Sequence, residues 1–458
     1  MSQVPSSRVL PVSGSNIVHP GRRCGGSCGR IDGRSTVASN LRVRVGLVSS
    51  ADDFSLRSIA LPAFGPTAVW SVGVGASVPV VALSARNLGA SIALAAAFVL
   101  IEGISAFVSS LPAGSLVARI GERRALAGAA VVDALGAALA VVAPNLWTLG
   151  IAIGLMGMTG SVFLLARQSW LTARAPVRIR ARAMSTMGGV QRVGLFVGPF
   201  IAAPLIHVWG TQAAYAVAVA AGLSAAVWAW FGLRDADDAG DGVTAAGHGG
   251  RGAGERVSLL EVIRNHRRVL MTIGLGVLLI GAARQGRFVI VPLWAESVGI
   301  TDSQTALIFG IAGGAEVLLF YPAGSVMDRF GRVWVAVPFL VVLGVGMVLL
   351  PLSHSFAAVA AVSTLMGIGN GLGSGIVQTL GADAAPVVGR AQFLSVWRFV
   401  SLIGQNGAPL LVSGVTVIAS LGVACVVLGL LVLGGAPWLA RWLPAYDPRR
   451  AAVRPVRP

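Results

Sequence analysis

Seven ionisable side chains fall inside the long apolar runs of this 458-residue chain: Glu102, Asp133, Arg192, Arg284, Arg287, Glu316 and Arg398. A charge in apolar surroundings is costly unless it is paired or hydrated, so such residues mark candidate sites of ion or substrate handling. Reversible proton binding is the chemistry the carboxylates offer. Burial raises a carboxylate's affinity for a proton and a neighbouring arginine lowers it, so a carboxylate whose arginine partner moves can take up and release a proton. Glu316 is the leading candidate, with Arg284 and Arg287 as partners, and Glu102 is the second. A static buried ion pair that fixes helix packing is the competing reading for both. Arg192 either lines a cavity or anchors its helix to a carboxylate. Arg398 lies about five residues inside its run and has reach enough to snorkel toward water.

Uncharged polar residues in the same runs suit hydrogen bonding to a solute: Asn370, Gln405 and Asn406, with Arg398 as a charged companion. Asn370 stands in Gly367-Ile368-Gly369-Asn370-Gly371-Leu372-Gly373-Ser374-Gly375, and glycine that dense serves close helix packing or bending. Trp70, Phe196, Trp294 and Trp397 suit an apolar pocket or an interfacial belt.

The elements that must hold these residues follow from composition. The chain is 55% hydrophobic and 12% charged, against about a quarter charged in soluble domains. Apolar runs of about 20 residues recur, each long enough to cross a bilayer as a helix that satisfies its own backbone. Twelve are expected, at about 59–84, 92–117, 125–143, 146–166, 184–207, 213–233, 269–294, 304–327, 333–353, 356–380, 393–416 and 423–440. The expected organisation is a polar cytoplasmic leader at 1–57 without a signal-peptide core, six helices within 58–233, a cytoplasmic linker at 234–268, six helices within 269–442, and a tail at 443–458.

The net charge of +17 comes with 35 basic residues, all arginine. They follow membrane topology rather than a nucleic-acid surface. One set of loops carries Arg119, Arg123, Arg124, Arg167, Arg174, Arg178, Arg180, Arg182, Arg329, Arg332 and Arg390, and the opposite set carries Arg86. Positive residues gather on the cytoplasmic side, which puts both termini there. Cys24, Cys28 and Cys425 lack the spacing and histidine neighbours of a zinc site.

A second pattern is duplication. Leu111-Pro112-Ala113-Gly114-Ser115 leads into Arg119-Ile120-Gly121-Glu122-Arg123-Arg124. Tyr321-Pro322-Ala323-Gly324-Ser325 leads into Asp328-Arg329-Phe330-Gly331-Arg332, 210 positions on. Gly89/Gly299, Gly157/Gly367, Gln168/Gln378, Pro176/Pro386, Arg180/Arg390, Gly194/Gly404 and Pro199/Pro409 hold the same register without a gap. The halves read as parallel six-helix repeats. Under this offset Glu102 falls on Ala312, one turn from Glu316.

Parallel six-helix repeats in this topology resemble the major facilitator superfamily. The doubled loop resembles its signature between helices 2 and 3 and the echo between 8 and 9, carried here by Gly114, Arg119, Gly121 and Arg123, and by Gly324, Asp328, Arg329, Gly331 and Arg332. Gly194-x-x-x-Gly198-Pro199 on helix 5 is similar to part of the antiporter motif of drug/proton exchangers. The departures are Ala118 in place of the first loop's usual acid, Glu122 in place of a basic residue, Ala202 and Ala203 in place of a glycine pair, and Ile153 where helix 4 usually carries arginine. Asp133 then reads as structural, because helix 3 is peripheral in that architecture.

The fold implied is all-α and polytopic, two six-helix bundles around a site formed by helices 1, 4, 7 and 10, with 2, 5, 8 and 11 alongside. The function implied is transport by alternating access: proton-coupled efflux of a small amphipathic molecule through the cytoplasmic membrane, with the signature loops acting as gating latches. Uptake of a small metabolite and a transporter-like receptor without flux are the alternatives. An enzyme is not expected, since no metal-spaced cluster or phosphate loop appears. The expected partners are the lipid bilayer, a small-molecule substrate and protons. The chain is expected to act as a monomer, without nucleic acid, cofactor or metal ion.

Overall fold

The computed structural model describes residues 56–174, 177–233, 259–386 and 390–446, apart from the side chains of a few helical residues, Asp328 among them. Almost all of the expected leader, most of the linker and the end of the tail lie outside the described residues, as do Cys24, Cys28 and the side chains of Arg178, Arg180 and Arg182.

Among the described residues, twelve helices are long and apolar enough to cross a membrane: Phe64–Asn87 (α1), Ile92–Ile120 (α2), Glu122–Val141 (α3), Leu146–Thr172 (α4), Ala183–Trp209 (α5), Gln212–Gly232 (α6), Arg267–Ser297 (α7), Asp302–Phe320 (α8), Val333–Leu352 (α9), Phe356–Ala384 (α10), Gln392–Ile418 (α11) and Leu421–Tyr446 (α12). Several helices outrun the apolar stretches that mark them. The α4 helix continues to Arg174 and the α8 helix to Phe330, because a helix needs apolar side chains only where lipid surrounds it. One expectation is thereby corrected. Arg167, read as a loop residue, is buried within α4.

Equivalent signals start and stop equivalent helices. Ser91 caps α2 by accepting from the Leu94 amide at 3.2 Å, and Thr301, 210 positions on, caps α8 by accepting from Gln304 at 3.3 Å. Asn145 and Ser355 repeat the device at α4 and α10, accepting from Thr148 and Ala358. The signature loops turn at Gly121 and Gly331, whose φ values of 82° and 103° suit a residue without Cβ.

Packing repeats in the same register. α1 packs on α5 and α6, α2 on α4, and α3 on α4 and α6; the corresponding partners of α7, α8 and α9 are α11 with α12, α10, and α10 with α12. Two glycine pairs show why. A Cβ at Gly194 would meet the Ala68 carbonyl, and one at Gly404 the Leu278 carbonyl. A Cβ at Gly157 would strike the Glu102 carbonyl, and one at Gly367 the Ala312 carbonyl. All four crossings are backbone against backbone, as small residues permit between membrane helices. Across the halves, α5 packs on α8 and α2 on α11, and these two contacts exchange under the repeat.

One feature of α10 has no counterpart. The helix runs from Phe356 to Leu372, turns at Gly373 to Gly375 with φ 77° at Gly375, and resumes from Ile376 to Ala384. The equivalent part of α4 is continuous.

Candidate functional site

The site begins with the crossing of α5 and α8. Gly313 and Gly314 let α8 approach the Phe196 side chain on α5, and Arg192 stands one turn before Phe196. That brings the Arg192 guanidinium onto Glu316, with Nη1 donating to Oε1 at 2.6 Å. From α7, Arg287 Nη2 donates to Glu316 Oε2 at 2.7 Å. One carboxylate therefore joins a cation of the first six helices to a cation of the last six, with each oxygen occupied. Aromatic rings back both cations. Arg192 lies 4.7 Å from the Phe320 ring centroid and Arg287 4.6 Å from that of Phe288.

A cavity of about 240 Å³ opens beside this bridge, lined from α1, α2, α5, α7 and α8. Glu102, Arg192, Arg287 and Glu316 are its ionisable lining. Phe196, Phe288 and Phe309 give it aromatic walls, and Pro199 of the helix-5 motif also reaches it. Phe288 and Phe309 are stacked at 5.6 Å. Glu102 makes no ion pair or hydrogen bond among the described residues, in contrast to Glu316.

The sequence candidates divide. Arg284, expected to pair with Glu316, turns to the break in α10 and donates at 2.6 Å to the Gly373 carbonyl, which also accepts from the Ile376 amide across the turn. Arg192 takes the partner's place that Arg284 was expected to hold. Asn370 is buried on α10, and its Oδ1 has no donor among the described residues. Gln405 and Asn406 turn inward on α11, bonding Ser401 Oγ at 3.2 Å and the Leu402 carbonyl at 3.0 Å. Asn406 also fills the space above Gly103 of α2. Arg398 is exposed. Of the four aromatic candidates Phe196 lines the cavity. Trp294 and Trp397 spend their N–H groups on the carbonyls of Ser353 and Val377.

Trp70 and Asp133 form a separate knot. Trp70 Nε1 donates to Asp133 Oδ2 at 3.0 Å, Thr159 Oγ1 donates to Oδ1 at 2.9 Å, and Trp70 stacks on Phe163 at 4.4 Å. The carboxylate thus ties α1, α3 and α4 together within one half.

The signature loops hold the next helix pair by different chemistry. In the first, Ser169 of α4 donates to Glu122 at 3.0 Å; in the second, Arg332 pairs with Asp383 of α10 at 2.8 Å. Arg123 lies over the Trp230 ring.

Sequence reasoning missed a polar seam where the α1–α2 and α7–α8 ends meet. Arg86 Nε donates to Glu296 Oε1 and Oε2 at 2.9 and 3.0 Å, and the same guanidinium reaches the Ala90 carbonyl. Asn87 donates to Asp302 at 3.0 Å, and Ser303 to the Ala203 carbonyl at 2.7 Å. The signal was present: Arg86 and Glu296 carry opposite charges at equivalent repeat positions.

The sequence profile of the Major Facilitator Superfamily matches residues 67–286 and 273–458. The chain belongs to that superfamily. Among curated proteins it is similar to the Multidrug resistance protein MdtG of Erwinia billingiae, 27% identical over 180 residues, and to MdtG of Citrobacter koseri, 25% identical over 180 residues. Each match covers 38% of this chain and 44% of the relative, so the chain spans under half the length of the curated relatives it matches. Solved structures extend the likeness over the fold. A POT family transporter in complex with a thioalcohol conjugated peptide superposes with TM-score 0.68 at 14% identity, covering 85% of this chain and 96% of the other. A D-xylose–proton symporter superposes with TM-score 0.59 at 14% identity, covering 82% and 97%.

Proposed function

We propose that this protein is a secondary transporter that moves a small amphipathic molecule by alternating access, and that proton entry drives export. The bundles at 58–233 and 269–442 rock as units around the cavity, with both termini on the cytoplasmic side, as the arginine distribution supports. One observation carries the reading: Glu316 sits in the cavity, held by arginines from both halves. Rocking that separates α5 from α8 withdraws Arg192 and leaves a buried carboxylate with fewer cations, which favours protonation; return of Arg192 favours release. Glu102, in the same cavity without a partner, is the second proton carrier in this reading. The likeness to multidrug resistance proteins favours export of an amphipath from the cell membrane.

The signature loops act as latches between α2 and α3 and between α8 and α9, with Asp328 and Arg329 in the second copy. The unequal contacts at Glu122 and Arg332 suit a stronger hold in the second half. The test uses purified protein in vesicles with a pH-sensitive dye inside, challenged with a panel of amphipathic solutes. Solute-induced proton movement is expected in the wild type and absent in Glu316→Gln. Equal proton movement in the variant overturns the coupling role.

A further inference from the structure

Two arginines and two carboxylates line the cavity, Arg192 and Arg287 with Glu102 and Glu316, and Arg284 stands one turn before Arg287 on α7. The carboxylates of the membrane-length helices are unevenly used. Asp133 faces neutral donors in its own knot, Glu102 pairs with nothing described, and Glu316 has both oxygens filled.

The guanidiniums, meanwhile, keep donors to spare. Arg287 is 8% exposed and lines the cavity, and its buried Nε has no acceptor. Arg284 Nε, one turn earlier, is equally without one. Arg167 is 9% exposed, gives one donor to Gln191 at 2.6 Å, and leaves Nε and Nη1 unmatched. Buried donors without acceptors are rare in folded proteins, and one accounted-for cause is a bound ion or water. Charge-assisted bonds to a carboxylate, phosphonate or sulfonate suit a guanidinium best.

We infer that the cavity binds an organic anion, its charged group on Arg287 and Arg192 and its apolar body against Phe196, Phe288 and Phe309. This rests on the transport reading and names the substrate class for the same site. The volume, about eight waters at ~30 Å³ each, fits an aromatic or short-chain acid rather than a large amphipath.

The experiment measures binding of radiolabelled benzoate to the full-length protein in lipid nanodiscs, without any gradient. Unlabelled benzoate and phenylphosphonate are expected to displace it, and benzylammonium, of matching size and opposite charge, is not. Arg287→Gln is expected to weaken benzoate binding by about tenfold or more, while Glu316→Gln, which releases two guanidiniums, tightens it by a similar factor. A gain of affinity cannot come from misfolding, so the second variant keeps the test decisive if the first folds poorly. Displacement by benzylammonium, no saturable benzoate binding, or wild-type affinity in Glu316→Gln overturns the inference. Benzoate binding without gradient-driven flux leaves the anion site standing and removes the transport reading; gradient-driven flux of benzylammonium does the reverse.

Discussion

Two carboxylates within the membrane-length helices of this protein are held in opposite ways. Asp133 is gripped by Trp70 and Thr159, neutral donors from the same six helices. Glu316 is gripped by Arg192 and Arg287, cations from different halves. A bond inside one half travels with that half and survives any rocking. A bond between halves must stretch or break when the halves move, and its free energy then depends on conformation. In the proposed cycle the same residue chemistry is a rivet in the first place and a switch in the second, and the helices that supply the partners decide which.

Substitution at the two sites should separate these roles. Glu316→Gln is expected to lower proton-driven flux by about a hundredfold, ~2.7 kcal/mol on the rate-limiting barrier, while leaving detergent-extracted protein monodisperse. Asp133→Ala should do the reverse. It strands the Trp70 N–H, a loss of about 1–3 kcal/mol in stability, with flux per folded molecule unchanged. Thermal unfolding followed by size-exclusion chromatography reads the first quantity, and vesicle flux the second. If Asp133→Ala kills flux at full stability, the rivet reading is wrong.

Arg284 gives a smaller effect of intermediate kind. It ties α7 to the broken turn of α10 through the Gly373 carbonyl, both in the second half. Arg284→Gln should therefore cost about 1 kcal/mol, the net value of one hydrogen bond, and leave the coupling of protons to solute intact. Uncoupled proton leak in this variant would move Arg284 from the rivets to the switches.

The duplication made most of the fold readable. A fixed offset tied turns at Gly121 and Gly331, caps at Ser91 and Thr301, and crossings at Gly194 and Gly404 to one plan, because short-range sterics leave their mark in residue type. The intramembrane charges were equally visible, since apolar surroundings make them conspicuous. What the sequence did not reveal was partnership. Arg284 and Arg287 lie one turn apart on α7, and only the rotation of α7 against α8 decides that Arg287 meets Glu316. Arg192 was placed as a residue of α5 with no way to see α8 beside it, for the repeat relates equivalent helices without saying which helices of the two halves meet. The break in α10 was hidden for a different reason. Glycine at 367, 369, 371, 373 and 375 suits close packing and a turn alike, and both occur: Gly367 lies against the Ala312 carbonyl and Gly375 takes a positive φ.

The smallest predicted effect tests the symmetry itself. Arg86 and Glu296 are equivalent under the repeat and pair across it with 29% of each side chain exposed, where an ion pair contributes about 0.2–1 kcal/mol. Arg86→Glu or Glu296→Arg alone sets like charges opposite each other and should shift the halves toward separation at this end, read as a longer distance between spin labels on the α1–α2 and α7–α8 loops. The double exchange restores opposite charges, and an arginine placed at position 296 finds the Ile300 carbonyl where Arg86 now finds that of Ala90, since the two turns share their backbone bonding. The double variant should therefore return to the wild-type distance. If it stays as open as the single variants, the seam depends on features outside the repeat, and the two halves are less alike at this end than their backbones.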